Sequence, residues 1–156
     1  MKKTILSFLL VLMLLLSGCA TGDSIVDEVV DQVTSVAQSE EPHILTIQSA
    51  EMNGTSHTYK EVFDNFFAYP TWKYFIGENG EKVVEFTGEC LYDEQQVKAR
   101  IQFVITNETE DYMEWDTTYL SFNDVSQNLF MLSALLETAV EEYENSLNTG
   151  ETTSAE

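Results

Sequence analysis

Carboxylates are the commonest side chains able to do chemistry in this chain, and they crowd together at Glu108, Glu110 and Asp111 and again at Glu114 and Asp116. Paired carboxylates can act as acid and base across a glycosidic bond, or hold a hard cation through their oxygens. Here they fall in or beside an expected polar turn and follow no calcium-loop spacing. They read as a solvated surface, and no metal is expected. His43 and His57 have neither cysteines nor a Glu-x-x-His spacing around them, which is poor material for a zinc site. Both are expected at the surface or at a sheet edge. A glycine-rich phosphate loop, a Gly-x-Ser-x-Gly elbow and a His-Glu-x-x-His helix are all missing from the sequence. No catalytic residue is therefore assigned, and no cofactor is expected.

The two thiols have different prospects. Cys90 alternates with Phe86, Gly88 and Tyr92 along an expected strand, as a small buried residue would. Cys19 follows Met1-Lys2-Lys3, an apolar run from Ile5 to Leu16, and the small residues Ser17 and Gly18. These are the parts of an export signal in their usual order. The run is shorter than the roughly 20 residues that span a hydrocarbon core, so a permanent membrane helix is the weaker reading.

Leu16-Ser17-Gly18-Cys19 resembles the lipobox of bacterial lipoproteins. The resemblance implies that residues 1–18 are removed and that the Cys19 thiol carries a diacylglycerol, anchoring the chain to the outer face of the cell membrane. Two acyl chains on one residue supply the double anchor that one chain cannot. Only Cys90 would then remain as a thiol, so the fold has no disulfide to draw on. Without Lys2 and Lys3 the mature chain has five basic residues against 27 acidic ones, a net charge of −22. Nucleic acid is excluded as a partner by repulsion. An envelope protein or wall component fits better, although the charge also serves plain solubility.

Residues 19–42 read as an acidic tether, helical in part, with Ser24 as a cap and valines at helical spacing up to Val36. The single domain is expected from His43 to Leu147, with residues 148–156 as a disordered tail. His43 to Ile47 reads as a short opening strand. Thr58 and Glu61 form a capping box, followed by Tyr59, Val62, Phe63, Phe66 and Phe67 on one helical face, ended by Pro70. Trp72 to Ile76, Glu81 to Tyr92 and Val97 to Ile105 read as strands, with turns at Glu78-Asn79-Gly80 and Asp93-Glu94. A further strand from Tyr112 to Phe122 carries a bulge around Asp116 to Thr118. Leu129, Leu132, Leu136, Ala139, Val140 and Tyr143 form a last helix, capped by Asp124 or Ser126. The expected class is α+β: an antiparallel meander of three to four strands, with an N-terminal and a C-terminal helix on one face.

The segments Val62-Phe63-Asp64-Asn65-Phe66-Phe67, Pro70-Thr71-Trp72-Lys73-Tyr74-Phe75 and Leu120-Ser121-Phe122-Asn123-Asp124-Val125 resemble an uncharacterised extracytoplasmic domain of Gram-positive lipoproteins and membrane-tethered proteins. The resemblance brings no catalytic residues with it. A looser likeness, in architecture alone, is to small inhibitor domains that bind β-lactamases.

Aromatic residues are the more informative surplus, because strand alternation sends about half of each run outward. Trp72, Tyr74, Trp115 and Tyr119 are the candidate contact residues for a protein or glycan. The expected function is a non-catalytic binding or interaction module, with a small envelope enzyme, or an inhibitor of one, as the alternative. Replacing Cys19 with Ala should leave uncleaved precursor and abolish metabolic labelling by fatty acid. Undiminished labelling of that variant would remove the lipid anchor from this account.

Overall fold

The computed structural model describes Gln38 and residues 40–151. Cys19, the export signal and the tether helix expected up to Val36 lie outside the described residues, as do residues 152–156. In chain order the elements are α1 (Pro42–Ser49), α2 (Tyr59–Phe66), β1 (Ala68–Ile76), β2 (Lys82–Tyr92), β3 (Gln95–Glu108), β4 (Met113–Phe122), β5 (Val125–Ser126) and α3 (Leu129–Glu151). The strands form one antiparallel meander in the order β1-β2-β3-β4-β5. The α+β class is as expected, with five strands among the described residues where three to four were anticipated, and with Pro42–Ser49 and Tyr59–Phe66 both helical ahead of the sheet.

The segment from His43 to Ile47, expected as a strand, is instead helix α1. Pro42 sits in its first turn, where a missing N–H costs nothing, and the Thr46 hydroxyl donates back to the Pro42 carbonyl at 2.9 Å. Ile44 and Ile47, three residues apart, are both fully buried. Their β-branched composition suggested a strand, and the three-residue spacing with the proline decided for a helix.

Helix α2 begins as expected. Thr58 Oγ1 accepts from the Glu61 N–H at 3.3 Å, and Glu61 Oε2 accepts from the Thr58 N–H at 2.8 Å. The helix stops at Phe66, four residues ahead of Pro70, because Phe67 is already extended. Pro70 lies inside β1, an outermost strand, where an absent donor breaks no central ladder. Around it the β1–β2 register shifts, and Tyr69 takes a positive φ of 53°.

Two turns are built alike. Asp93-Glu94 joins β2 to β3 with φ of 50° and 62°, and Asn123-Asp124 joins β4 to β5 with φ of 48° and 66°. Positive φ at both central residues matches the twist of the flanking strands. Asp124 is thus a turn residue, and neither it nor Ser126 caps α3. Asn128 takes that role, its Oδ1 accepting from the Met131 N–H at 2.9 Å. The helix runs on to Glu151, past Leu147, where a loose tail was expected.

The three described helices α1, α2 and α3 bury their apolar sides in one cluster. Ile44 and Ile47 of α1, Val62 and Phe63 of α2, and Leu132 and Ala139 of α3 meet Val84, Phe86, Ile101, Phe103 and Leu120 of the sheet. Phe63 is its hub. Its ring lies 4.6 Å from Phe86, 5.3 Å from Phe67 and 5.7 Å from Trp72, centre to centre. Cys90 is buried at the edge of this cluster, and burial, with the Glu142 charge adding to it, pushes its thiol up to about 11. Such a thiol is protonated and inert at neutral pH.

Gly88 marks the tightest approach of helix end to sheet. A Cβ there would stand 2.7 Å from the Phe67 Cβ, inside any tolerable contact. Gly88→Ala should therefore cost about 1–3 kcal/mol. A lowered urea midpoint at unchanged slope checks this, and an unaltered midpoint would contradict the packing described.

Candidate interaction face

Directly opposite residues in an antiparallel sheet share a face, so the register fixes what each side carries. On the helix side Trp72 stands opposite Phe86, Phe86 opposite Ile101 and Ile101 opposite Leu120. Tyr74, Val84, Phe103 and Thr117 make the next row, and Ile105 and Trp115 belong to the one beyond. Trp72, Tyr74 and Trp115 therefore face the helices and pack against the core, contrary to the outward orientation expected of them. Trp72 lies over Phe63 and Phe103, and its indole nitrogen is buried with no hydrogen-bond partner.

Tyr119 alone of the four is on the other side. Between Gln102 and Phe103 the β3–β4 register slips, with Gln102 opposite Tyr119 and Phe103 opposite Thr117. The extra residue, Thr118, inverts the alternation within the span where a bulge was expected. Trp115 and Tyr119, four positions apart, consequently point to opposite faces.

The side away from the helices is legible as three full rows. Phe75, Val83, Val104 and Asp116 form the first; Lys73, Glu85, Gln102 and Tyr119 the second; Thr71, Thr87, Arg100 and Ser121 the third. Glu89 and Lys98 stand opposite each other beyond them. No described helix buries apolar side chains against this side, and Val83, although only 6 % exposed, is outside the main core cluster. Phe75, Val104 and Tyr119 are half-buried, and a groove of about 400 Å³ runs past Phe75, Val83 and Val104. Lys73 Nζ lies 5.8 Å from the centre of the Phe75 ring.

Charge is distributed unevenly. Three of the five Lys and Arg side chains among the described residues, Lys73, Lys98 and Arg100, lie on this face, and the same rows hold Glu85, Glu89 and Asp116. Arg100 is held by Asp124 at 2.9 Å and faces Glu85 at 3.8 Å. Gln102 donates to Glu85 at 2.8 Å. The Arg100 Nε and the Ser121 hydroxyl, on residues opposite one another, are both buried without a hydrogen-bond partner. These rows are neutral in sum, with Glu81 adding one negative charge in the groove beside Val83, on a chain of net charge −20.

A second polar cluster lies at the other end of the strands. His43 stacks on Tyr74 with ring centres 4.3 Å apart and planes 2° from parallel. Its Nδ1 meets Glu41 Oε1 at 2.5 Å and its Nε2 meets Glu108 Oε1 at 2.9 Å. Glu108 Oε2 takes the Lys82 ammonium. Gln38 Oε1 accepts from the Tyr74 N–H at 2.8 Å on the outer edge of β1. His57, for its part, meets Tyr143 edge-on and lies 3.7 Å from Glu144. Neither histidine is a free surface group. In the His43 cluster both ring nitrogens, the Lys82 ammonium and both Glu108 oxygens are bound to one another or to Glu41. The cluster fastens α1 to the ends of β1, β2 and β3. Among the described residues no three His, Cys, Asp or Glu side chains are grouped to hold a metal ion.

Comparisons with family models, curated proteins and solved structures find no match to this chain.

The Lys82 hydrogen bond, with the His43 charge behind it, holds the Glu108 carboxyl below its ordinary value of 4.5. A depressed carboxylate stabilises the fold above its unfolded value, and that contribution is lost as pH falls through the folded one. Glu61 and Glu81 are depressed in the same direction. Stability should therefore decline below about pH 4.5, and Glu108→Gln should make the decline shallower. Urea midpoints across that range test it, and an unchanged slope in the variant would mean that the clamp contributes nothing.

Proposed function

We propose that this chain is a membrane-anchored extracytoplasmic lipoprotein that works as a non-catalytic binding module, with the sheet face on which no described helix packs as the contact surface. The address rests on the sequence, on the export signal closed by Cys19. No described helix is long and apolar enough to cross a membrane, and a lipid on Cys19 would supply the anchor.

The contact surface rests on one observation. A four-strand face keeps Phe75, Val104 and Tyr119 half in solvent with no described element packed over them. Apolar and aromatic groups held in water on a rigid sheet are the raw material of interface hot spots. Trp72, Tyr74 and Trp115 act instead as supports, because their burial against Phe63 and its neighbours fixes the sheet that presents Tyr119.

Tyr119→Ala should change stability by less than about 1 kcal/mol, while Trp115→Ala costs about 3 kcal/mol. In binding to envelope material Tyr119→Ala should lose at least about tenfold, the size of a modest aromatic hot spot. Binding untouched by Tyr119→Ala and by Val104→Ser would move the contact elsewhere. Turnover of an envelope substrate that depends on Glu108 would replace the module by an enzyme.

A further inference from the structure

The open face is complementary to itself. A two-fold axis parallel to the strands and midway between β2 and β3 would set each residue against its row-mate across the sheet in a second copy. Val83 then meets Val104 of the second copy, Glu85 meets Gln102, Glu89 meets Lys98, and Lys73 meets the ring of Tyr119. Of these pairings one is apolar, one is a charge-assisted hydrogen bond, one an ion pair and one a cation–π contact. Phe75 against Asp116, at the corner, is the one mismatch. We infer that the partner of this face is a second copy of the same chain, a reading that rests on the open face being the contact surface.

Charge supports the choice of occupant. Two bodies of net charge −20 repel over most of their surfaces, and the balanced set Lys73, Lys98, Arg100 against Glu85, Glu89, Asp116 makes this face one of approach without like-charge stacking. Lys98 is exposed, and among the described residues no carboxylate lies within ion-pair distance of it or of Lys73, so Lys98 is free to meet a second copy and Lys73 can do so by leaving the Phe75 ring.

The extent of the face fits a weak pair. Four strands about 4.8 Å apart and four side-chain rows about 6.8 Å apart outline roughly 500 Å², or about 1,000 Å² over both copies. That stands at the low end of specific interfaces. Tethering both copies in one membrane plane raises their effective concentration and favours the pair without any new contact. Because the residual charge of each copy is repulsive, screening strengthens the association, the reverse of what a purely ionic interface does.

The test uses the full lipidated chain in phosphatidylcholine vesicles, labelled with donor or acceptor dyes on a Ser154→Cys thiol. Energy transfer between copies should exceed the random-encounter level and rise between about 0.05 and 0.5 M salt. Lys98→Glu alone and Glu89→Lys alone should each return it to the random level. An equal mixture of these two variants should restore it, since each then offers the other the opposite charge, whereas a merely structural defect would not be repaired by mixing. Random-level transfer in the unaltered chain, or no recovery on mixing, overturns the pairing. If envelope binding is still lost in Tyr119→Ala, the face takes a different partner and this inference alone fails. If that binding is also untouched, the open face fails with it.

Discussion

The ring of Phe63 determines which side of this sheet is inside. Fully buried on α2, it touches Tyr59 and Phe67 near its own helix and Trp72, Phe86 and Phe103 across the sheet. Because those contacts lie on one face, the helices have one place to dock, and α1 and α3 bury their apolar sides in the same cluster. One face that the described helices cover, and one on which none of them packs, follow from that single arrangement. With no disulfide available to the described residues, whose one cysteine, Cys90, is free, the fold depends on this cluster.

Ends and turns carry the finer positioning. The reciprocal Thr58–Glu61 cap starts α2 where Phe63 can reach the sheet, and the absence of a side chain at Gly88 lets Phe67 close over β2. At the far ends of the strands, the clamp of His43 by Glu41, Glu108 and Tyr74 fastens α1 down. The Gln38 side chain occupies an outward N–H of β1 beside it, which covers part of an edge that would otherwise invite strand pairing.

Much of this was legible in the residues, and the failures have physical causes. The alternation of Val84, Phe86, Gly88 and Cys90, the capping box, the bulge near Thr118 and the period of α3 all report local preferences that agree with the fold. Helix α1 was hidden because eight residues show barely two turns of period, while β-branched side chains point the other way. Strand β5 has two residues and no pattern of its own. The facing of the aromatics was a different kind of error. Alternation says which residues share a side, not which side is covered. Folding the β1–β2 hairpin about Asn79 would have set Trp72 against Phe86 and Tyr74 against Val84, and so placed both inside. Tyr119 faces away from the helices, and its phase relative to Trp115 depends on a bulge whose position decides the outcome.

The account turns on the open face being the surface that is covered at the membrane. Lysine acylation, quantified residue by residue in intact envelopes and in the dilute purified mature chain, addresses this directly, because Lys73 and Lys98 lie on that face and Lys60 lies on α2. The account predicts that Lys73 and Lys98 are protected in the envelope relative to the isolated chain while Lys60 reacts equally in both. Equal reactivity of Lys73 and Lys98 in the two settings would contradict it.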